Sequence, residues 1–383
     1  MKARFIIFIS IVTVILGLAS FYVGARFIAH SPWARGHSGA VWMALAVFIL
    51  LQILGPYLYR VFPDHIHRLF VVHWAVYMTL GVFACVFFYT LVADLLIALL
   101  IFILGPRIAL VAESWSFVAV GAMATASVVI GAVQVAKGPR VYEVEIPIEN
   151  LPNEFDGFEI VQISDLHVGP TLGRAFIEHV VKVANDLAPD LIALTGDLID
   201  GAVHQLRRVI EPLAQLRAKY GTFYVTGNHE YYWGVEEWIA EFRRLGARVL
   251  VNEHAVIRKD GAELVIAGVT DDSAAQIVPD QASDVAKAIA GAPDHAIKIL
   301  LSHRPSGYKK AVRAGFHLQL SGHTHGGQFF PWSLIVALAF RYGKGLHRYE
   351  KFWIYVSRGT GYWGPPLRFG VPPEITLLRL KRA

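Results

Sequence analysis

Four long apolar stretches in the first third of the chain, residues 5–23, 40–59, 69–104 and 115–135, constrain it more than any other feature. In hydrocarbon, every backbone N–H and C=O must be paired within the protein, so stretches of this kind have to be helices. Roughly 20 apolar residues cross a core about 30 Å thick, and the first, second and fourth stretches have that length. The third has 36 residues and is too long for one crossing. Asp94 interrupts it, and a carboxylate deep in a bilayer is costly. The sequence therefore predicts one span from residue 69 to residue 91, then a helix running along or beyond the interface toward the Gly105-Pro106 break. Two separate spans are the alternative. Lys2 and Arg4 before the first stretch also suit a secretory signal. Further spans follow, however, and Gly24-Ala25-Arg26 is only a fair cleavage site, so an anchor is the better reading.

The charges divide unevenly. Residues 1–136 carry seven Lys or Arg against three acids, which leaves 28 basic and 27 acidic residues for the rest of the chain. The basic excess thus belongs to the membrane segment, and the remainder is nearly neutral. A nucleic-acid binder would need basic residues massed on its folded face, so no nucleic-acid partner is expected. Four spans return the chain to the side on which it starts. Lys2, Arg4, Arg60, Arg68, Lys137 and Arg140 then share one face, and Arg26, Arg35 and Arg107 lie on the other. The positive-inside rule places the large domain in the cytoplasm, and a fifth span would reverse that placement. Trp33, Trp42, Trp74 and Trp115 suit the interfacial belt. Cys85 is the only cysteine, so neither a disulfide nor a thiolate zinc site can form within one chain.

Composition changes after Lys137-Gly138-Pro139, and residues 137–140 read as a linker between a 1–136 membrane domain and a 141–383 domain. Residues 141–146 alternate apolar and acidic side chains, as a half-buried strand does. Strands follow at 158–164, 191–195, 222–226, 297–302, 318–320 and 352–357, with a hairpin over 256–269 turning at Lys259-Asp260-Gly261. Helices are predicted at 173–187, 203–218, 235–245 and 307–314. This is an α/β pattern with strands buried on both faces.

The buried strands end in polar groups: Ser164-Asp165-Leu166-His167, Thr195-Gly196-Asp197, Thr226-Gly227-Asn228-His229-Glu230, Ser302-His303, and Ser321-Gly322-His323-Thr324-His325. Open α/β sheets bind ligands beyond the carboxyl ends of their strands, so one rim would collect two Asp, one Asn and five His. Oxygen donors mixed with imidazoles, without thiolates, suit divalent Mn, Fe, Zn or Co. Eight donors exceed what one tetrahedral ion needs and suffice for two ions sharing a carboxylate. Two ions about 3.5–4 Å apart acidify water and clamp a phosphoryl group during in-line attack. The residues alone therefore describe a dinuclear hydrolase site.

In order, Asp165-x-His167, Gly196-Asp197, Gly227-Asn228-His229-Glu230, His303 and Gly322-His323-Thr324-His325 resemble the complete motif set of the calcineurin-like metallophosphoesterases. The resemblance covers residues 141–383. Within the family, the layout is most similar to the bacterial membrane-anchored type, including the stretch from Gly322 to Gln328, which implies a bacterial inner membrane. It also implies a four-layer α-β-β-α sandwich of two mixed sheets with helices on both outer faces. One metal would be held by Asp165, His167 and His325, and the other by Asn228, His303 and His323, with Asp197 bridging. His229 would donate the proton to the leaving oxygen or contact the phosphate.

Other residues carry plainer expectations. Glu230 reads as a hydrogen-bond partner of the site or a helix-start residue, and Asp200, Asp271 and Asp272 read as turn or capping residues. His179, His204, His254, His295, His317 and His347 lack motif context. Residues 329–340 form an apolar run too short to span, either a core helix or a patch pressed on the bilayer with Arg341 and Lys344 near headgroups. The Gly- and aromatic-rich segment 357–366 suggests a shaped loop near the rim. Within it, Arg358 could hold a phosphate bidentately or stack on Trp363. Membrane attachment favours a lipid-linked phosphoester or pyrophosphate as substrate. A tethered phosphodiesterase for soluble nucleotides, and a transporter or sensor using Asp94 with a regulatory metal domain, are the competing readings.

Overall fold

The computed structural model describes residues 2–61 and 70–383. Arg68 and Leu69, used above for topology, lie outside the described residues. The chain divides into two units, residues 1–132 with 364–367, and residues 133–363 with 368–383.

The first unit is helical: α1 (Lys2–His30), α2 (Pro32–Gly36), α3 (Ser38–Val61), α4 (Phe70–Leu104) and α5 (Ala109–Ala136). Among the described residues, three helical segments are long and apolar enough to cross a membrane, Ser10–His30, Phe70–Leu104 and Val111–Ala136, and Ser38–Leu54 is a shorter apolar segment. The third apolar stretch stays helical past residue 91. It is one unbroken helix of 35 residues that carries Asp94 through its interior. The reason is pairing: Arg26 and Tyr22 of α1 both donate to the Asp94 carboxylate. Other polar contacts tie neighbouring helices, with Gln52 Nε2 donating to Val76 O at 3.0 Å and Tyr89 Oη meeting Ser127 Oγ at 2.7 Å. Side-chain hydrogen bonds of this kind hold helices together where lipid supplies no hydrophobic driving force.

The second unit holds twelve strands in two six-stranded sheets. In chain order they are β1 (Arg140–Ile148), β2 (Glu159–Ile163), β3 (Leu191–Leu194), β4 (Thr222–Tyr224), β5 (Arg248–Val249), β6 (Glu253–Lys259), β7 (Ala262–Gly268), β8 (Ile297–Leu301), β9 (Leu318–Ser321), β10 (Gly345–Tyr349), β11 (Phe352–Val356) and β12 (Glu374–Arg382). One sheet runs β1-β12-β2-β3-β4-β5 and the other β10-β11-β9-β8-β7-β6. The helices are α6 (Arg174–Asp186), α7 (Val203–Ile210), α8 (Asn228–Tyr232), α9 (Val235–Arg244), α10 (Ala274–Ile277), α11 (Val285–Ala288), α12 (Tyr308–Arg313) and α13 (Trp332–Ala339).

Period-two alternation builds the layers, because successive side chains of a strand point to opposite faces. Ile160, Leu191 and Ala193 of the first sheet meet Leu264, Ile266, Ile299 and Leu318 of the second in a core between the sheets. Their neighbours Val161, Ile192 and Leu194 face outward into a second core with Ile177, Val180, Leu206 and Trp238 from the helices. On the other side Val265, Ala267 and Leu300 pack against Ala288, Tyr308 and Ala311. Three cores between four layers make the α-β-β-α sandwich. The helix expected over 203–218 ends at Ile210, and Glu211–Gln215 continues as a 3₁₀ turn around Pro212, which has no N–H to extend the α-helix. Strands β5, β10 and β12 were not anticipated. Of these, β12 is central: it pairs parallel with β1 and antiparallel with β2, and it places Leu378 and Leu380 between the sheets.

Candidate metal centre

Strands β2, β3 and β4 run parallel in one sheet and β8 and β9 run parallel in the other, so five carboxyl ends open at the same edge of the sandwich. Glycines let the loops close there. A Cβ on Gly322 would lie 2.1 Å from Ser164 Oγ and 2.2 Å from Asp165 Oδ2, and one on Gly227 would lie 2.2 Å from Asp197 Oδ1. The first contact joins the two sheets, and the second brings the β4 loop against the β3 loop. Several non-glycine residues at this edge take left-handed backbone: Asp165 (φ 52°), His167 (50°), Asp197 (53°), His323 (74°) and His325 (51°). Such backbone is costly for residues with a Cβ and concentrates at functional sites.

The side chains converge in three overlapping groups: Asp165, His167 and His325; His167, Asp197 and His229; and Asp197, His303 and His323. His167 Nε2 lies 3.0 Å from His325 Nε2, His303 Nε2 lies 3.2 Å from His323 Nδ1, and His303 Nε2 lies 3.1 Å from Asp197 Oδ2. Imidazole nitrogens facing each other this closely, beside buried carboxylates, are what a divalent cation requires of its donors. The donor set fits the metals its chemistry implies. Asn228, 6% exposed, opens α8 between Gly227 and His229, whose backbone N–H donates to Asp197 Oδ1 at 2.9 Å. Its Oδ1 accepts from Arg304 at 3.3 Å.

The surrounding hydrogen bonds fix ring orientations. His303 Nδ1 lies 2.8 Å from Thr195 O and turns Nε2 toward Asp197. Asp200 lies 3.2 Å from His167 Nδ1 and also receives His229 Nδ1. Asp200 therefore does more than the turn or cap expected for it. It orients two imidazoles of the site, a role the sequence hid because Asp200 stands three residues beyond the Gly196-Asp197 motif. Glu230 is fully buried and accepts from the N–H groups of Gly227, Asp197 and Leu198 at 2.7, 3.1 and 2.8 Å, pinning two loops together. Asp271 makes a turn with Ser273 and also an ion pair with Arg304 at 2.8 Å.

Electrostatically the donor set is polarised. Burial works to raise Asp197, yet His303, His229 and His167 hold it well below the usual carboxylate range. Burial opposes protonation of His303 and His229, but Asp197 draws the first up to about 10, and Asp200 with Asp197 draws the second up to about 9. Burial pushes His323 down to about 3, reinforced by His303 and Arg304, and holds His325 far below its ordinary value, reinforced by His167 and Arg368.

Arg358 is engaged elsewhere, over the Tyr142 ring at 4.5 Å and beside Glu374 at 3.4 Å. It does not stack on Trp363. The loop that carries it does border the site, since Thr360 N–H and Gly361 N–H donate to Ser164 O and Asp165 O, and Trp363 meets His229 edge-on at 5.9 Å. Two arginines near the ligands were missed. Arg304 follows His303 directly, which was the available signal. Arg368 is wholly buried, donates to Gly361 O and Arg358 O, and lies 3.1 Å from His325 Nδ1. Burial lowers it to about 9, against the opposing pull of Asp165 and Glu374. Nothing in its local sequence marks it.

Residues 158–327 match the family model described as calcineurin-like phosphoesterase. A "Transmembrane protein with metallophosphoesterase domain" from Danio rerio is 34% identical over 400 residues, covering 100% of this chain and 90% of that protein. A protein of the same description from Bos taurus is 41% identical, covering 67% of this chain and 60% of its own length. An "Uncharacterized metallophosphoesterase" from Helicobacter pylori is 38% identical, covering 63% of this chain and 64% of its own. The chain belongs to the calcineurin-like phosphoesterases, metal-dependent hydrolases of phosphoesters. Within that family it is a membrane protein, with apolar helices preceding the hydrolase domain.

Proposed function

We propose that this protein holds two divalent ions, of Mn, Fe, Zn or Co, and hydrolyses a lipid-linked phosphoester or pyrophosphate at the cytoplasmic face of its membrane, taken to be a bacterial inner membrane. The observation that carries the dinuclear reading is the sharing of donors: Asp165, His167 and His325 form one group, His303 and His323 another with Asp197, and Asp197 also groups with His167. When bound, the ions supply an acidified water and charge neutralisation at the phosphoryl oxygens. Asn228 completes the second set. His229 has its Nδ1 engaged by Asp200 and its Nε2 3.8 Å from Asp197 Oδ2, two carboxylates that raise its affinity for a proton, and its Nε2 is the group that can give a proton to the leaving oxygen. Arg304 lies beside Asn228, where a guanidinium can donate to two phosphate oxygens, a better-supported place for that role than Arg358.

The test pairs metal content with turnover. Purified full-length protein is assayed on a chromogenic phosphodiester, the matching monoester and a bilayer phospholipid extract, in each metal and in chelator. Two metal equivalents per chain and chelator-sensitive hydrolysis are expected. A single equivalent at full activity would overturn the dinuclear reading. Turnover of soluble diesters with none of lipid substrates would favour the tethered nucleotide phosphodiesterase.

A further inference from the structure

The apolar segment after the last candidate ligand is not a core helix. No residue of α13 is buried. Among the described residues from β1 onward, 140–383, the exposed large hydrophobic side chains are Val141, Tyr232, Ile277, Trp332, Leu334, Ile335, Leu338, Phe340 and Trp363, so five of nine fall within residues 332–340. Leu338 is 89% exposed. Concentrated exposure of this kind on a folded domain marks a surface that meets something apolar.

Two observations identify what it meets. The first is charge: residues 329–349 contain Arg341, Lys344 and Arg348 and no acid. A short apolar helix followed by basic residues is suited to lie in the plane of an anionic lipid surface, its side chains among the acyl chains and its cations at the phosphates. The second is reach. Helix α5 ends at Ala136 and β1 starts at Arg140, and the three residues between them extend at most roughly 3.6 Å each. Only a three-residue tether thus separates the last apolar helix from the first strand of the hydrolase domain.

The helix is also tied to the metal centre at both ends. A Cβ on Gly327, two residues after His325, would lie 2.4 Å from Ser333 Cα, so the ligand loop and the start of α13 are in backbone contact. Beyond the helix, Phe340 meets the His323 ring at 6.5 Å, and Thr324 Oγ1 donates to Gly343 O at 2.6 Å. Tyr232 and Trp363, both exposed, flank His229.

We infer that α13 inserts into the lipid surface and holds the metal centre at the level of the headgroup phosphates. This deepens the lipid-linked reading above by naming the element that meets the lipid, and it rests on that reading only for the substrate, not for the docking.

The experiment is a depth measurement on the full chain. Leu338→Cys is made on a Cys85→Ser background, labelled with an environment-sensitive fluorophore and reconstituted in nanodiscs of phosphatidylcholine and phosphatidylglycerol. Some discs carry lipid with a nitroxide on its acyl chain. A label at Lys182→Cys, on the solvent face of α6, is the reference. The expected result is a blue-shifted Leu338→Cys label, quenched several-fold more by the nitroxide lipid than the reference. A label as wet as the reference would overturn the inference. So would a blue-shifted label that the nitroxide lipid does not quench, since the helix would then be covered by protein, such as a second copy. The readout needs neither metal nor turnover. Docking without hydrolysis of any lipid substrate would thus sink the substrate reading and leave the docking intact, and lipid hydrolysis with an undocked label would do the reverse.

Discussion

Asp197 is the residue on which the site turns, because it is the carboxylate shared by two of the three donor groups, one with His167 and His229 and the other with His303 and His323. Asp197→Asn keeps the shape and removes the negative charge that His303, His167 and His229 all face. We expect metal content to fall and turnover to drop at least about 100-fold, measured by elemental analysis beside the chromogenic assay; an Asn variant at full metal content and rate would remove Asp197 from the bridging role. Asp200 acts through its neighbours. Partners that orient metal-site imidazoles typically contribute about 10–100-fold in affinity or activity, and Asp200→Asn should fall in that range. Retained metal with a changed pH profile would assign its effect to His229, and lost metal would assign it to His167. The ligand-type residues were legible in the chain because each sits in a short motif at a strand end. Asp200, Arg304 and Arg368 were not, since each acts on a group that lies close only after folding.

At the scale of elements, the Asp94 ion pair explains how a helix of 35 residues can carry a carboxylate. Pairing with Arg26 and Tyr22 gives the group a structural role, which weakens the case for a transport pathway. Asp94→Leu alone should lower the thermal midpoint in detergent by leaving Arg26 unpaired, and the double variant with Arg26→Leu should recover much of the loss. No recovery would mean that the pair does more than hold α1 to α4. In the sandwich, Ile266 is fully buried between the sheets. Ile266→Ala should destabilise the fold by about 2–5 kcal/mol in denaturant titration. Sequence periodicity located most strands within a residue or two. It passed over β12, whose run of Ile375 to Leu380 reads equally well as a terminal tail until its two neighbours are known. Likewise the apolar run at 329–340 is ambiguous as sequence, since the same composition serves a buried helix and an exposed one.

For the whole molecule, the side of the membrane on which the hydrolase domain lies sets the pool of substrates it can meet. A cysteine at Gly138 on the Cys85→Ser background should be labelled by an impermeant maleimide only after the cytoplasmic face is opened. Labelling from the outside of intact cells would reverse the topology and, with it, the pool of substrates. The sequence by itself determined that there is a membrane part, that an α/β domain follows, and which residue types could bind metal, because lipid burial, strand periodicity and ligand chemistry are all local properties. Only the tertiary structure decided that Arg26 meets Asp94, that Asp200 serves two histidines, that Arg358 is occupied by Tyr142 and Glu374, and that α13 is left uncovered. Each of these depends on which distant segment packs against which, and burial and pairing across tens or hundreds of residues have no signature in the order of the chain.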